Sequence, residues 1–408
     1  MIAIIELAHH SFSHECFNAG TILQVAKAYP KERIIFFAEE EQVMNVSALV
    51  PETDVISYCV VKELTEIRNN SNLNIDDKKQ IYDEIRDRIL SNEDISGVVF
   101  TSSHCIEGLD ASDWVKRFPS IRFLLFQHGE LEQLLNIKLI KMYKLYKESL
   151  YYMAIYLYLS LKDYIRQFKT LSSRKMQVMN YRNYLEKLSE CNNADIIVFS
   201  DEYLKYSDVI SEKVMKKFRK IYLPYVYDWN LNHKPFENEV KIGIMPKTAE
   251  APDAIVWKVV DYVNKHIDKV KKPFKFYMYR EQDRGIKNVH TYESKGYDRK
   301  YINDFLADCD WLLIPYPKDK YVLSSSGALF DSINRELPVM MYESPSFNGF
   351  ENVGIRGKSI TELGELIINT INTYNEQCKE KYVNAMRSLK QKMEQDNIKF
   401  FKEQFNIQ

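Results

Sequence analysis

Short apolar runs alternate with amphipathic stretches along most of the chain. Runs at residues 2–7 (IAIIEL), 33–38, 54–61, 97–102, 121–127 and 195–200 have the length and the β-branched and aromatic make-up of strands buried on both faces. Between them, residues 15–29, 76–90 and 110–117 place apolar side chains at helical spacing. Strand alternating with helix predicts a parallel sheet covered by helices. The alternation restarts at Val240, with a strand at 241–245, a helix at about 253–266, a strand at 274–279 and a short segment at 288–292. A helix at 301–309 and strands at 310–315 and 338–341 follow, and a long charged helix closes the chain over 376–405. Residues 224–239 (PYVYDWNLNHKPFENE) hold two prolines and several asparagines without any period, which reads as a linker.

This pattern divides the 408 residues into a first α/β domain over 1–227, a linker over 228–239, a second over 240–375 and a terminal helix over 376–408. One stretch interrupts it. Residues 137–175 contain no Gly or Pro and carry nine Lys or Arg against Glu148 and Asp163, with seven tyrosines interleaved. They predict a long helical insertion, taken as residues 137–190, in the first domain. Lys162, Arg166 and Lys169 share one helical face, and Lys141 and Lys144 add to the basic surface. A basic helix with tyrosines suits an anionic membrane interface, where each basic residue near the surface contributes about 1 kcal/mol. A helical hairpin packed on the sheet with solvated lysines fits the same residues.

Composition adds limits. Hydrophobic residues at 45% and charged residues at 28% describe a core-forming protein, and a formal net charge of −1 gives no global pull toward nucleic acid. The six cysteines are scattered without a CxxC pair, so free thiols in a reducing compartment are expected. The chain opens directly as a strand with no basic, cleavable leader, and the longest near-apolar run, 149–161, is too short to span a bilayer. A cytoplasmic protein is expected, with peripheral attachment to the inner face of the membrane if 137–175 docks there.

In an open parallel sheet, ligands meet the loops after the carboxyl ends of the strands. Five of the eight histidines fall in such loops: His9, His10 and His14 after the first strand, His104 after 97–102 and His128 after 121–127. His14 and Glu15 stand at a predicted helix start. The spacing of His9, His10 and His14 does not fit a metal site, and none is expected.

In the second half, Ser324, Ser325, Ser326 and Gly327 precede an amphipathic helix whose apolar residues include Leu329, Phe330 and Ile333. A helix start leaves N–H groups unpaired and carries about half a positive charge, which suits a diphosphate. Asp331 lies one turn in, where a carboxylate can accept bonds from ribose hydroxyls. An ordinary N-capped helix would show the same pattern.

The spacing Gly327…Asp331…Pro338 resembles the donor-binding motif of GT-B glycosyltransferases, which in many retaining members contains two glutamates. Asp331 matches the second glutamate, shortened by one methylene, and Leu323 stands where the first would be. The resemblance implies a GT-B fold of two Rossmann-like αβα domains facing across a cleft, with the terminal helix crossing back to the first domain. It implies that the second domain binds a nucleotide sugar and the first an acceptor, with neither cofactor nor metal. Lys247, Tyr297 and Tyr316 fall on the implied donor side; His9, His10 and His104 fall on the acceptor side. An inverting reaction would need a base, for which His14, Glu15 and His128 are the candidates; a retaining one would not. The expected activity is sugar transfer to a glycan or lipid-linked acceptor in assembly of a surface glycan such as capsule, O-antigen or exopolysaccharide. A GT-B fold sugar-nucleotide epimerase and a non-catalytic bilobed sugar- or nucleotide-binding protein are the alternatives.

Overall fold

The computed structural model describes residues 1–10, 14–91, 94–102, 107–129, 131, 181–207, 210–226, 239–245, 254–279, 285–292, 299–317 and 321–405. Most of the expected basic insertion, including Lys141, Lys144, Lys162, Arg166 and Lys169, lies outside these residues. The chain divides into two compact units. The first comprises Met1–Val226, Leu323–Ser325 and Glu394–Gln408, and the second Tyr227–Val322 and Ser326–Met393.

The first unit is built on a seven-stranded sheet of β1 (Ile2–Ile5), β2 (Ile34–Ala38), β3 (Ile56–Val60), β4 (Gly97–Phe100), β5 (Arg122–Phe126), β6 (Ala194–Val198) and β7 (Phe218–Lys220). Its order is β3-β2-β1-β4-β5-β6-β7, and every pairing is parallel. Parallel strands need crossovers. These are α1 (Glu15–Ala28), α2 (Glu40–Leu49), α3 (Glu63–Asn69), α4 (Ile75–Leu90), α5 (Ala111–Arg117), α6 (residues 181–189) and α7 (Glu212–Met215). The strands IAII, GVVF and ADIIV are buried along their whole length, as strands covered on both faces require, with Asp195 of the last paired to Arg122. The chain end also packs here: Asn397 bonds Gln24 and the Tyr222 carbonyl, and the Phe405 ring fills the space that a side chain at Gly97 would take.

The second unit holds a six-stranded parallel sheet in the order β10-β9-β8-β11-β12-β13. Its strands are β8 (Val240–Ile244), β9 (Phe274–Tyr279), β10 (Val289–Tyr292), β11 (Trp311–Ile314), β12 (Val339–Tyr342) and β13 (Gly354–Gly357). Among the described residues its helices are α8 (Ile255–Lys265), α9 (Arg299–Asp308), α10 (Gly327–Arg335), α11 (Ile360–Thr373) and, as far as Met393, α12 (Glu376–Lys402). One face of the sheet (Ile242, Ile244, Phe276, Met278) forms a core with Val256, Val260 and Val263 of α8 and Leu363, Ile367 and Ile371 of α11. Gly243 points the other way, and a Cβ there would lie 2.8 Å from Cys309 Sγ and 3.1 Å from Phe305, so helix α9 covers the opposite face at close range.

The two strand orders decide where chemistry can occur. In the first sheet the chain runs outward from β1 to β3 and then returns to place β4 on the other side of β1. The second sheet does the same between β8 and β11. Each reversal opens a crevice at the strands' carboxyl ends. In the first unit that crevice is bounded by the residues after β1 and β4, and in the second by those after β8 and β11. Two strands, β7 and β13, went unnoticed in the sequence because FRK and GIRG are short and lack a continuous apolar run. Among the described residues, no helix is long and apolar enough to cross a membrane.

Candidate active site

Glu6 is the first residue past β1, and its side chain is fully buried. A lone carboxylate in a dry position must be paired or neutralised. Its Oε1 accepts from the Ala8 and His9 N–H groups at 2.9 and 3.0 Å, closing a tight loop. Its Oε2 accepts from Thr101 Oγ1 at 3.1 Å and Ser102 Oγ at 2.8 Å, both just past β4. Burial works to raise its pKa, but the adjacent His14 imidazole, attraction to His9, and the Ala8 N–H outweigh it and hold the carboxyl well below the usual range. Glu6 is therefore an anion. Sequence reasoning passed over it, although an acid directly after IAII is a visible departure from an apolar strand.

His14 stands beside that anion. Its Nδ1 is 3.6 Å from Glu6 Oε2 and 3.3 Å from Ser102 Oγ. It is the residue before α1 and has a left-handed backbone (φ 67), rare for a side chain of this size and worth about 1–2 kcal/mol of strain. Strain of this kind persists where the surroundings impose it and gathers at functional sites. The His14 side chain keeps 22% exposure, so the ring is partly open to solvent. His9 stacks on it with ring centroids 3.6 Å apart, and His128 lies 4.4 Å away. His10 is exposed and His104 lies outside the described residues.

His128 is held differently. Its Nε2 is 2.8 Å from the Thr101 carbonyl, which can only accept, so Nε2 carries the hydrogen. Its ring packs edge-on to Phe17 at 4.6 Å and lies 5.2 Å from Phe199. Burial, and then the nearby His14, push its pKa well below the ordinary imidazole value, so His128 is neutral. Glu15 is 2% exposed at the first turn of α1, with little access to a ligand. Of the first-unit candidates the structure thus gathers His9, His14 and His128 around Glu6, with Glu15 buried behind them. Thr101 and Ser102, also unforeseen, join them through the β1–β4 neighbour relation. Among the described residues, no group of three or more His, Cys, Asp or Glu side chains is arranged to hold a metal ion.

In the second unit, α10 follows the loop after β11. Ser326 is its N-cap, accepting from the Leu329 N–H at 3.3 Å, and its hydroxyl is 2.7 Å from the Tyr316 hydroxyl. Tyr316 is buried, 3% exposed, and stacks nearly parallel on Phe347 of the loop after β12. It braces the helix start from beneath rather than presenting an open face. Gly327 opens the helix with nothing within 4 Å of the position a Cβ would take. Bare N–H groups at the start of a helix, fronted by open space, can receive an anion. Ser324 is buried and Ser325 half-buried; Asp331 lies within α10 at 6% exposure. The far end of α10 is anchored by Glu336, whose carboxylate takes both forks of the Arg387 guanidinium at 2.7 Å. Lys247 and Tyr297 lie outside the described residues.

Comparison with known proteins is informative in structure only. No family model matches the chain, and no curated protein matches it in sequence. A glycosyltransferase from Rickettsia africae ESF-5 superposes with a TM-score of 0.56 at 12% identity, covering 98% of each chain. The apo structure of OtsA gives 0.55 at 9% identity over 98% of this chain and 97% of that one. An O-GlcNAc transferase from Thermobaculum terrenum, the K341M mutant, gives 0.52 at 10% identity over 99% of this chain and 65% of that one. At such identities the likeness speaks for architecture. Two parallel α/β units of seven and six strands, matched over nearly the whole chain, show that this protein has the GT-B fold.

Proposed function

We propose that this protein is a nucleotide-sugar-dependent glycosyltransferase in which His14 deprotonates the acceptor hydroxyl. The observation that carries this reading is the placement of a partly exposed histidine against a buried, ionised glutamate at the crevice between β1 and β4. His14 in its neutral form takes the acceptor O–H proton on Nε2. The freed oxygen attacks the anomeric carbon of the donor sugar, and the bond from that carbon to the diphosphate oxygen breaks with its electron pair. The leaving diphosphate gains charge as this happens. The N–H groups at the start of α10, open at Gly327, are suited to stabilise it without a metal ion. Attack by an activated acceptor inverts the anomeric centre. His14 is a better base than Glu15, which is buried, and than His128, whose low basicity and aromatic surroundings suit it to packing against His14.

The fold likeness to glycosyltransferases supports the reaction class, and a screen tests it. UDP-, GDP-, CMP- and dTDP-sugars are each tested for thermal stabilisation. A specific donor at 100-fold its dissociation constant is expected to stabilise the fold by about 2.7 kcal/mol. No stabilisation by any of them would remove the reading.

The acceptor we propose is lipid-linked, in assembly of a surface glycan. The support is the excess of seven positive charges and the seven tyrosines at 137–175. The protein is expected to float with anionic vesicles and not with neutral ones, and to be released as salt rises. Equal, salt-insensitive behaviour with both would leave a soluble acceptor.

A further inference from the structure

We propose that Ser102 is the positioning residue that sets the tautomer of His14, accepting from its Nδ1–H while donating its own hydrogen to Glu6. This rests on the reading of His14 as the base. The direct path from Nδ1 to Glu6 Oε2 is 3.6 Å, longer than an N–H···O hydrogen bond of about 2.7–3.2 Å. Ser102 Oγ is nearer to Nδ1, at 3.3 Å, and lies 2.8 Å from the carboxylate. An ionised carboxylate only accepts, so the single hydroxyl hydrogen points to Glu6 and the oxygen lone pairs remain for His14. A neutral imidazole meeting an acceptor must present an N–H. Nδ1 therefore carries the hydrogen, and Nε2 keeps the lone pair that general-base chemistry needs.

Other described groups lie around the ring. His9, from the same loop, lies tilted against His14, with ring centroids 3.6 Å and planes 31° apart. His128, after β5, donates its Nε2–H to Thr101, and Glu15 adjoins His14 in the chain with its side chain buried. Thr101 donates toward Glu6 Oε2 and the Ile5 carbonyl. Ser102 is fully buried, so bulk water does not compete for its hydroxyl. When Nε2 takes the acceptor proton, the imidazolium keeps its Nδ1–H, and no proton moves to Glu6. The anion stays in place as the counter-charge.

The test reads the tautomer directly, by long-range proton–nitrogen correlation on protein labelled with nitrogen-15 histidine, at a pH where the ring is neutral. His14→Gln identifies the signal. The wild-type ring is expected in the Nδ1–H form. Ser102→Ala is expected to move it toward the Nε2–H form, and Ser102→Thr, which keeps the hydroxyl, to preserve it. With a donor in hand, Ser102→Ala lowers kcat about tenfold, the size of one hydrogen bond, with donor affinity unchanged. A wild-type His14 in the Nε2–H form, or an unchanged tautomer in Ser102→Ala, overturns the proposal. If Ser102→Ala does not fold, the wild-type spectrum alone decides. Full turnover in His14→Ala would remove the base reading and leave the tautomer measurement untouched.

Discussion

His14→Ala is expected to lower turnover by about 10²–10⁴-fold, the ordinary contribution of a positioned base. Donor affinity should change by less than about twofold, because the donor contacts are assigned to α10. The loss falls on kcat, since the proton transfer is part of the transition state and not of donor binding. Any non-glycine residue at this position inherits the left-handed backbone, so His14→Gly is the companion that relieves the strain while still removing the ring. Glu6→Gln is a poorer probe. Its amide N–H₂ would face one of the donor pairs now met by the carboxylate, and the fold itself would weaken. Glu15→Gln tests the rival base and is expected to keep most of the activity. Near-normal turnover in both His14 variants would exclude the imidazole and turn attention to a retaining mechanism.

Gly327→Leu is expected to weaken binding of a nucleoside diphosphate by about tenfold or more and of the monophosphate much less. The open space at this position is what makes the test clean. A Cβ there meets nothing within 4 Å, so the fold has room for a side chain to begin, and an affinity loss in folded protein reports the obstruction of the helix start. Asp331→Ala should weaken whole sugar nucleotides and the bare diphosphate alike. Losing a charged hydrogen-bond partner costs roughly 1.5–3 kcal/mol, or about tenfold to over a hundredfold. Because Asp331 is nearly buried in α10, its variant must first be shown to unfold with a wild-type transition. Calorimetry on both variants with the mono- and diphosphate separates the two effects. Unchanged affinity in both would make α10 a capped core helix, and the donor site would have to be sought elsewhere.

Much of this was legible in the chain itself, for a local reason. Runs such as IIFFA, and FLLF after Arg122, are apolar because both faces of a parallel strand are covered, and the helices between them show their own period, so the alternation marks the layers before any contact is known. The start of α10 was likewise marked by local chemistry, a cap serine followed by a glycine. The histidines stood out because residues after apolar runs fall on the carboxyl rim whichever strands are neighbours.

What the chain alone left open was which of those rim residues meet. Glu6 and Ser102 are 96 positions apart, and His14 and Ser102 are 88 apart, so no local pattern links them. Their meeting depends on β4 returning to pair with β1 after the chain has travelled out to β3, and that order is set by crossovers packing whole layers together. That order also brought the Thr101 and Ser102 hydroxyls to Glu6, adding two donors to the Ala8 and His9 N–H groups of its own turn, so it stays charged in a dry place. Local periodicity determined the elements and their rims; the sheet order, a product of long-range packing, decided that His14 and Ser102 would meet beside the Glu6 anion.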